Sequence, residues 1–226
     1  MNTATYFTFP IKFLWPANYE DKEKTITECI RYSIYLYMKS GECGSGTLET
    51  KLDIARKKLH FSGSTIHAIT ETGEFLSKTV NEDEIITSVK TSYLFEARDG
   101  KLKLDLLLLL AAIKSIIGRR NFAKAYKNLI IYRMYGYDAS ITRYKFNKLV
   151  SAAIARRMLT VISAGRGYFV SIRYTPGELA EAVKEKIIKY SAKQAEVAKA
   201  GHDIQALKRK LKCENKKKQR VAFHYN

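Results

Sequence analysis

The side chains best equipped for chemistry in this chain are cations. Between residues 101 and 176 there are 15 Lys and Arg against two acids, Asp105 and Asp138, a net of +13. Two carboxylates cannot pair that many guanidinium and ammonium groups, and the excess is suited to phosphate oxygens and to salt-sensitive binding of polyanions. Catalytic arrangements fit less well. His60, His67, His202 and His224 are scattered, and none stands at metal-ligand spacing from a Cys or an acid, so no metal site is expected. GSGTLETK (44–51) has glycines and a lysine but lacks the phosphate-cradle spacing followed by Lys-Ser/Thr. No Ser or Cys sits in a nucleophile motif, and Tyr225 lacks the Arg/His array a strand-cleaving tyrosine would need. Glu82, Asp83 and Glu84 read as the first turn of a helix rather than as metal ligands. The expectation is a binding protein with no cofactor, not an enzyme.

The charge is unevenly placed along the 226 residues, whose net is +18. Residues 1–100 hold 12 Lys/Arg and 14 Asp/Glu, a net of −2, whereas residues 101–226 hold 28 and 8, a net of +20. That asymmetry points to a polyanion-binding half joined to a near-neutral half. Hydrophobic residues at 46% and charged residues at 27% are ordinary for a globular protein, and the length suffices for one large core or two small ones. The N-terminal residues lack a basic start followed by a clean apolar run and a small-residue cleavage site. The most apolar run, Leu104 to Ile117, is too short to cross a bilayer and contains Asp105, Lys114 and Ser115. Cys29, Cys43 and Cys213 are odd in number and far apart, which fits a reducing compartment. The expected location is cytoplasmic, in a bacterial cytoplasm or nucleoid, with a phage gene as one source and no membrane partner.

Elements must position these cations. YFTFPIKFL (6–14) reads as a short edge strand or an extended arm, interrupted by Pro10. Apolar residues at helical spacing predict helices over 21–39, from Thr47 to about Leu59, and in the later part of 62–78. Asn81 reads as the N-cap of a further helix, EDEIITSVKTSYLFEA. Arg98-Asp99-Gly100-Lys101, where charge sign and composition change, is the expected boundary between an N-terminal domain for dimerisation or partner binding and the basic half. In that half, helices are predicted over 102–118, 121–136 and 142–158. The last carries an apolar face of Phe146, Leu149, Val150, Ala153, Ile154 and Met158, with Arg143, Lys145, Lys148, Arg156 and Arg157 around it. LTVIS (159–163) and YFVSIRY (168–174) are strand-like, joined through Ala164-Gly165-Arg166-Gly167.

Three helices, a strand, a Gly-Arg-Gly tip and a return strand resemble a winged helix-turn-helix domain, the DNA-binding fold of many bacterial regulators and plasmid replication initiators. The resemblance covers about residues 102–176 and rests on element order, a basic third helix and the hairpin; residues 1–100 resemble no family. It implies a mainly α fold with a small β-hairpin wing, of α+β class, whose third helix enters the major groove of double-stranded DNA. The recognition residues it implies are Arg143, Tyr144, Lys145, Asn147, Lys148 and Ser151, with Asn147 suited to an adenine edge and arginine to guanine. Arg156 and Arg157 near the helix end would meet phosphates, with Arg119, Arg120, Lys124 and Lys127 adding backbone contacts. Arg166 would sit at the wing tip and Arg173 on its return strand. Tyrosines among these cations either stack on bases or, more commonly, pack with the hydroxyl at the surface.

Thr175-Pro176-Gly177-Glu178 reads as the start of a helix extending to about Lys212. Val183, Ile187, Tyr190, Gln194, Val197, Gly201, Ile204, Lys208 and Leu211 keep heptad spacing, which suits a coiled-coil homodimer or a helix packed on its own domain. Residues 208–220 hold eight Lys/Arg and one acid, Glu214, and are expected to form a disordered basic tail beyond Cys213. Three functional classes suit these features. The first is a sequence-specific DNA-binding protein, acting as a transcription regulator or as a replication or mobile-element accessory factor. The second is a nucleic-acid-coating or virion structural protein, and the third is a protein–protein adaptor.

Overall fold

The computed structural model describes residues 5–16, 21–136, 141–164 and 167–188, and beyond them 192, 196, 197, 199 and 205. Its first element, strand β1 (Tyr6–Pro10), pairs antiparallel with β2 (Ile86–Lys90). Phe7 lies opposite Val89 and Phe9 opposite Thr87, and all four are buried. The segment from residue 6 is therefore a paired strand rather than a free arm, and a 3-10 turn over Ile11–Leu14 follows it. Asp21 then caps α1 (Lys22–Lys39), its carboxylate accepting the N–H groups of Glu23 (2.8 Å) and Lys24 (3.2 Å). Thr47 and Thr65 cap α2 (Leu48–Leu59) and α3 (Ile66–Thr79) in the same way. α1 and α3 meet where Gly73 lies under the Tyr35 ring; a Cβ at residue 73 would fall 2.1 Å from Tyr35 Cγ.

The helix expected from Asn81 is not present in that form. Residues 86–90 are β2, and only Thr91–Arg98 is helical, as α4. Ile85, Ile86, Thr87 and Val89 are β-branched, and pairing with β1 buries Thr87 and Val89, which a solvent-facing helix turn would not. The three acids lie in the turn before β2, where Glu84 pairs with Lys12 and its N–H reaches the Asn81 carbonyl (3.1 Å).

Arg98–Lys101 is a tight turn inside one compact unit, residues 1–179, not a gap in the core. Gly100 takes φ +73°, and the Leu102 N–H returns to the Glu96 carbonyl (2.9 Å). The reason for continuity is α5 (Leu104–Ile117). Every residue from Leu106 to Ile113 is buried, so this helix needs packing partners on all sides. It touches β2 and α4 as well as the elements that follow it. Buried Thr87 donates its hydroxyl to the Ala111 carbonyl (2.6 Å), joining β2 to α5.

The single helix expected over 121–136 is instead strand β3 (Ala123–Ala125) followed by α6 (Lys127–Tyr135). Next come α7 (Arg143–Ala155), β4 (Thr160–Ala164) and β5 (Gly167–Ser171). β5 is the middle strand of a three-stranded antiparallel sheet, order β3-β5-β4, with Val170 opposite both Ala123 and Val161. β3 is strand because its backbone completes that ladder and its alanines, both buried, let the sheet lie close to its neighbours. Ser171, fully buried, donates to the Asn121 carbonyl (2.8 Å).

A helix covers residues 176–188, begun by reciprocal bonds between Thr175 and Glu178: the Thr175 N–H to Oε2 (2.7 Å) and the Glu178 N–H to Oγ1 (3.4 Å). The Thr175 N–H and then the Thr175 hydroxyl (2.8 Å), both donating to Oε2, hold the exposed Glu178 carboxyl below its ordinary range. Apart from Val197, the heptad positions from Tyr190 onward lie outside the described residues, as does the basic segment 208–220. The class is α+β, mainly helical with two small antiparallel sheets.

Candidate nucleic-acid interface

α7 is defined by its two ends and one buried stripe. Thr142 Oγ1 accepts the Lys145 N–H (3.2 Å) at the start. Phe146 and Ala153 are buried and Leu149 and Val150 half-buried, which turns the other side outward. Arg143, Tyr144, Asn147, Lys148 and Ser151 occupy that outer side at one- and four-residue steps, all exposed. Their side chains make no hydrogen bond or ion pair among the described residues. Tyr144 is 76% exposed, so it does not serve the packing role usual for tyrosine. Tyr126 is exposed too, whereas Tyr132, Tyr135, Tyr168 and Tyr174 are half-buried and Tyr137 lies outside the described residues.

Lys145 is placed differently from its neighbours. Its ammonium reaches Asp105 Oδ2 (3.2 Å), and Tyr135 Oη donates to Oδ1 of the same carboxylate (3.0 Å). One acid in the first turn of α5 thereby gathers α6 and α7. Among the described residues from 104 to 175 it is the one acidic side chain. Lys127 Nζ lies 5.6 Å from the centroid of the Phe146 ring, a second tie between α6 and α7.

The far end of α7 closes by a Schellman motif: the Arg157 N–H reaches the Ile154 carbonyl (2.9 Å) and the Met158 N–H that of Ala153 (2.9 Å). This puts Arg157 in the left-handed region at φ +56°, with Arg156 exposed before it. Arg157 and Arg173 line one crevice of about 470 Å³. Arg173 also donates to Asn121 Oδ1 (3.3 Å), and Ser171 Oγ accepts the N–H groups of Arg173 (3.1 Å) and Tyr174 (2.9 Å), fixing the segment after β5. Burial, and then the Arg173 charge, hold Lys114 below the ordinary lysine range. At 1.5 Å per residue, Arg143 and Arg157 stand about 20 Å apart along the axis, so they belong to two separate basic regions.

The remaining predicted residues divide further. Arg120 folds back on the end of α5, donating to the carbonyls of Ile116 (2.7 Å) and Ile117 (3.2 Å), while Arg119 beside it is exposed. Lys124 is half-buried on β3, its Nζ 5.7 Å from the centroid of the Tyr126 ring. Arg166 lies outside the described residues. Asp105, Tyr135 and Ser171 were not among the residues predicted from sequence. A lone acid opening an otherwise apolar helix was the available signal for the first; nothing in the sequence ties the other two to their partners.

Among the described residues, no group of three or more His, Cys, Asp or Glu could hold a metal ion, and no helix is long and apolar enough to cross a membrane. No protein-family model, curated protein or solved structure matches this chain.

Proposed function

We propose that this protein binds double-stranded DNA through a winged helix-turn-helix comprising α5, α6, α7 and the β3-β5-β4 sheet. It acts by binding rather than catalysis, in transcription regulation or in replication of a mobile element. The observation that carries the reading is the outer side of α7, where Arg143, Tyr144, Asn147, Lys148 and Ser151 stand exposed and, among the described residues, without a hydrogen bond or ion pair. That helix precedes a β-hairpin within a region whose one described acid is already bonded. Placed in the major groove, Asn147 offers a bidentate pair to adenine and Arg143 to guanine. Arg156, Arg157 and Arg173 at the far end, with Arg119, Arg120 and Lys124, supply phosphate contacts, and Arg166 does so from the tip of the hairpin. Lys145 acts mainly by holding α7 against Asp105. Heptad spacing would suit pairing of two copies only beyond Val183, which is already buried within one chain.

The test is binding of a duplex pool as salt is raised. Affinity should fall linearly with log salt at a slope of about −0.9 per phosphate contact, and reversing Arg143 and Lys148 to Glu should flatten the slope by about two. No binding at low salt, or binding indifferent to the reversal, refutes the reading. Equal affinity for selected and random sequences would instead mark a protein that coats nucleic acid without reading it.

A further inference from the structure

The inner side of α7 does not close completely on the sheet behind it. A cleft of about 240 Å³ remains, walled by Phe146 and Val150 from α7, Val161 from β4 and Val170 from β5. Native interiors leave few voids larger than a water molecule, and this space is several times the roughly 30 Å³ that water occupies in the liquid. Most of its lining side chains are aliphatic or aromatic, with Phe146 and Val170 buried, so they offer water few of the two to four polar partners it needs. Apolar-lined space of this kind takes up hydrocarbon rings. The lining residues with polar side chains are Asn147, Ser151 and Tyr168, and the first two are exposed, one turn apart on α7. No charged side chain lines it.

We infer that this cleft is a binding site for a small uncharged aromatic molecule carrying one polar group. Filled to the density of a protein interior, it holds about ten non-hydrogen atoms. The ring lies between Phe146, Val150, Val161 and Val170, and its polar group meets the Asn147 amide and the Ser151 hydroxyl. The inference does not rest on DNA binding, because the site is complete in the protein alone.

Indole, with an N–H on an apolar ring, is the probe. Titrated into the full-length protein with labelled methyl and amide groups, it should give saturable NMR shifts at the Val150, Val161 and Val170 methyls and at the Asn147 side-chain amide. The expected Kd is below about 1 mM. Ser151→Trp, at an exposed position that leaves the fold intact, should plug the mouth and weaken binding at least tenfold; Val161→Phe should do the same by filling the space. Indole-3-carboxylate should bind at least tenfold more weakly than indole. Absence of saturable shifts at the wall methyls, saturable shifts mapping to the Arg157–Arg173 crevice instead, or tight binding of the carboxylate each overturns the inference.

Discussion

Arg157 sits where helices ordinarily place glycine. An L-residue in the left-handed region costs about 1–2 kcal/mol, and the Schellman closure requires that conformation here. Arg157→Gly relieves the cost but enlarges the unfolded ensemble, so the net gain should be about 0.5–1 kcal/mol. The Tm should rise by roughly 1–3 °C in a calorimetric scan, while affinity for duplex DNA should fall. A variant both less stable and weaker in binding would show that the guanidinium supports the fold, not a ligand. None of this was visible in sequence, where Arg156-Arg157 looks like any basic pair. The Schellman bonds to Ile154 and Ala153 set the backbone, and they depend on where the helix stops. Asn147 and Ser151 were legible as exposed positions because the buried stripe from Phe146 to Ala153 passes beside them, although their place in the lining of the cleft was not.

Elements divide by how local their causes are. α1 and α7 follow from apolar spacing and side-chain caps, and α5 from an unbroken apolar run closed by Gly118, all contained within the segment itself. β2 and β3 have five and three residues, and each exists because of a partner some eighty or fifty residues away in sequence. No periodicity can reveal a three-residue strand of Ala-Lys-Ala. The α1–α3 pair shows a further non-local demand. Gly73→Ala would gain about 1 kcal/mol of helix propensity, but the new methyl would fall inside the Tyr35 ring, where overpacking costs about 1–3 kcal/mol. The second effect should win, lowering the urea midpoint without changing the slope; an unchanged or raised midpoint would mean that Tyr35 swings away freely. Nothing in the sequence around it sets this glycine apart, although it is the contact point.

For the whole molecule, the charge split was legible and the core was not. Net charges of −2 and +20 do distinguish the two stretches, yet the apolar interior runs across Arg98–Lys101 without interruption. Charge governs partners and solubility, whereas core continuity is governed by which surfaces α5 must cover. A fragment of residues 101–179 would uncover the side of α5 that meets β2 and α4. It should therefore show no cooperative thermal transition by circular dichroism, while the full chain melts residues 1–179 as one unit. A cooperative melt of the fragment would restore the boundary that composition suggested.

The one tryptophan ties the start of the chain to this same region. Trp15 donates its indole N–H to the Arg133 carbonyl (3.0 Å), and its ring would lie 3.2 Å from a Cβ at Gly136, just beyond α6. The chain thus carries a built-in fluorophore at the C-terminal end of α6. Its emission colour and anisotropy report on the packing of the chain's start against α6 without any label, while lying outside the face offered to a ligand.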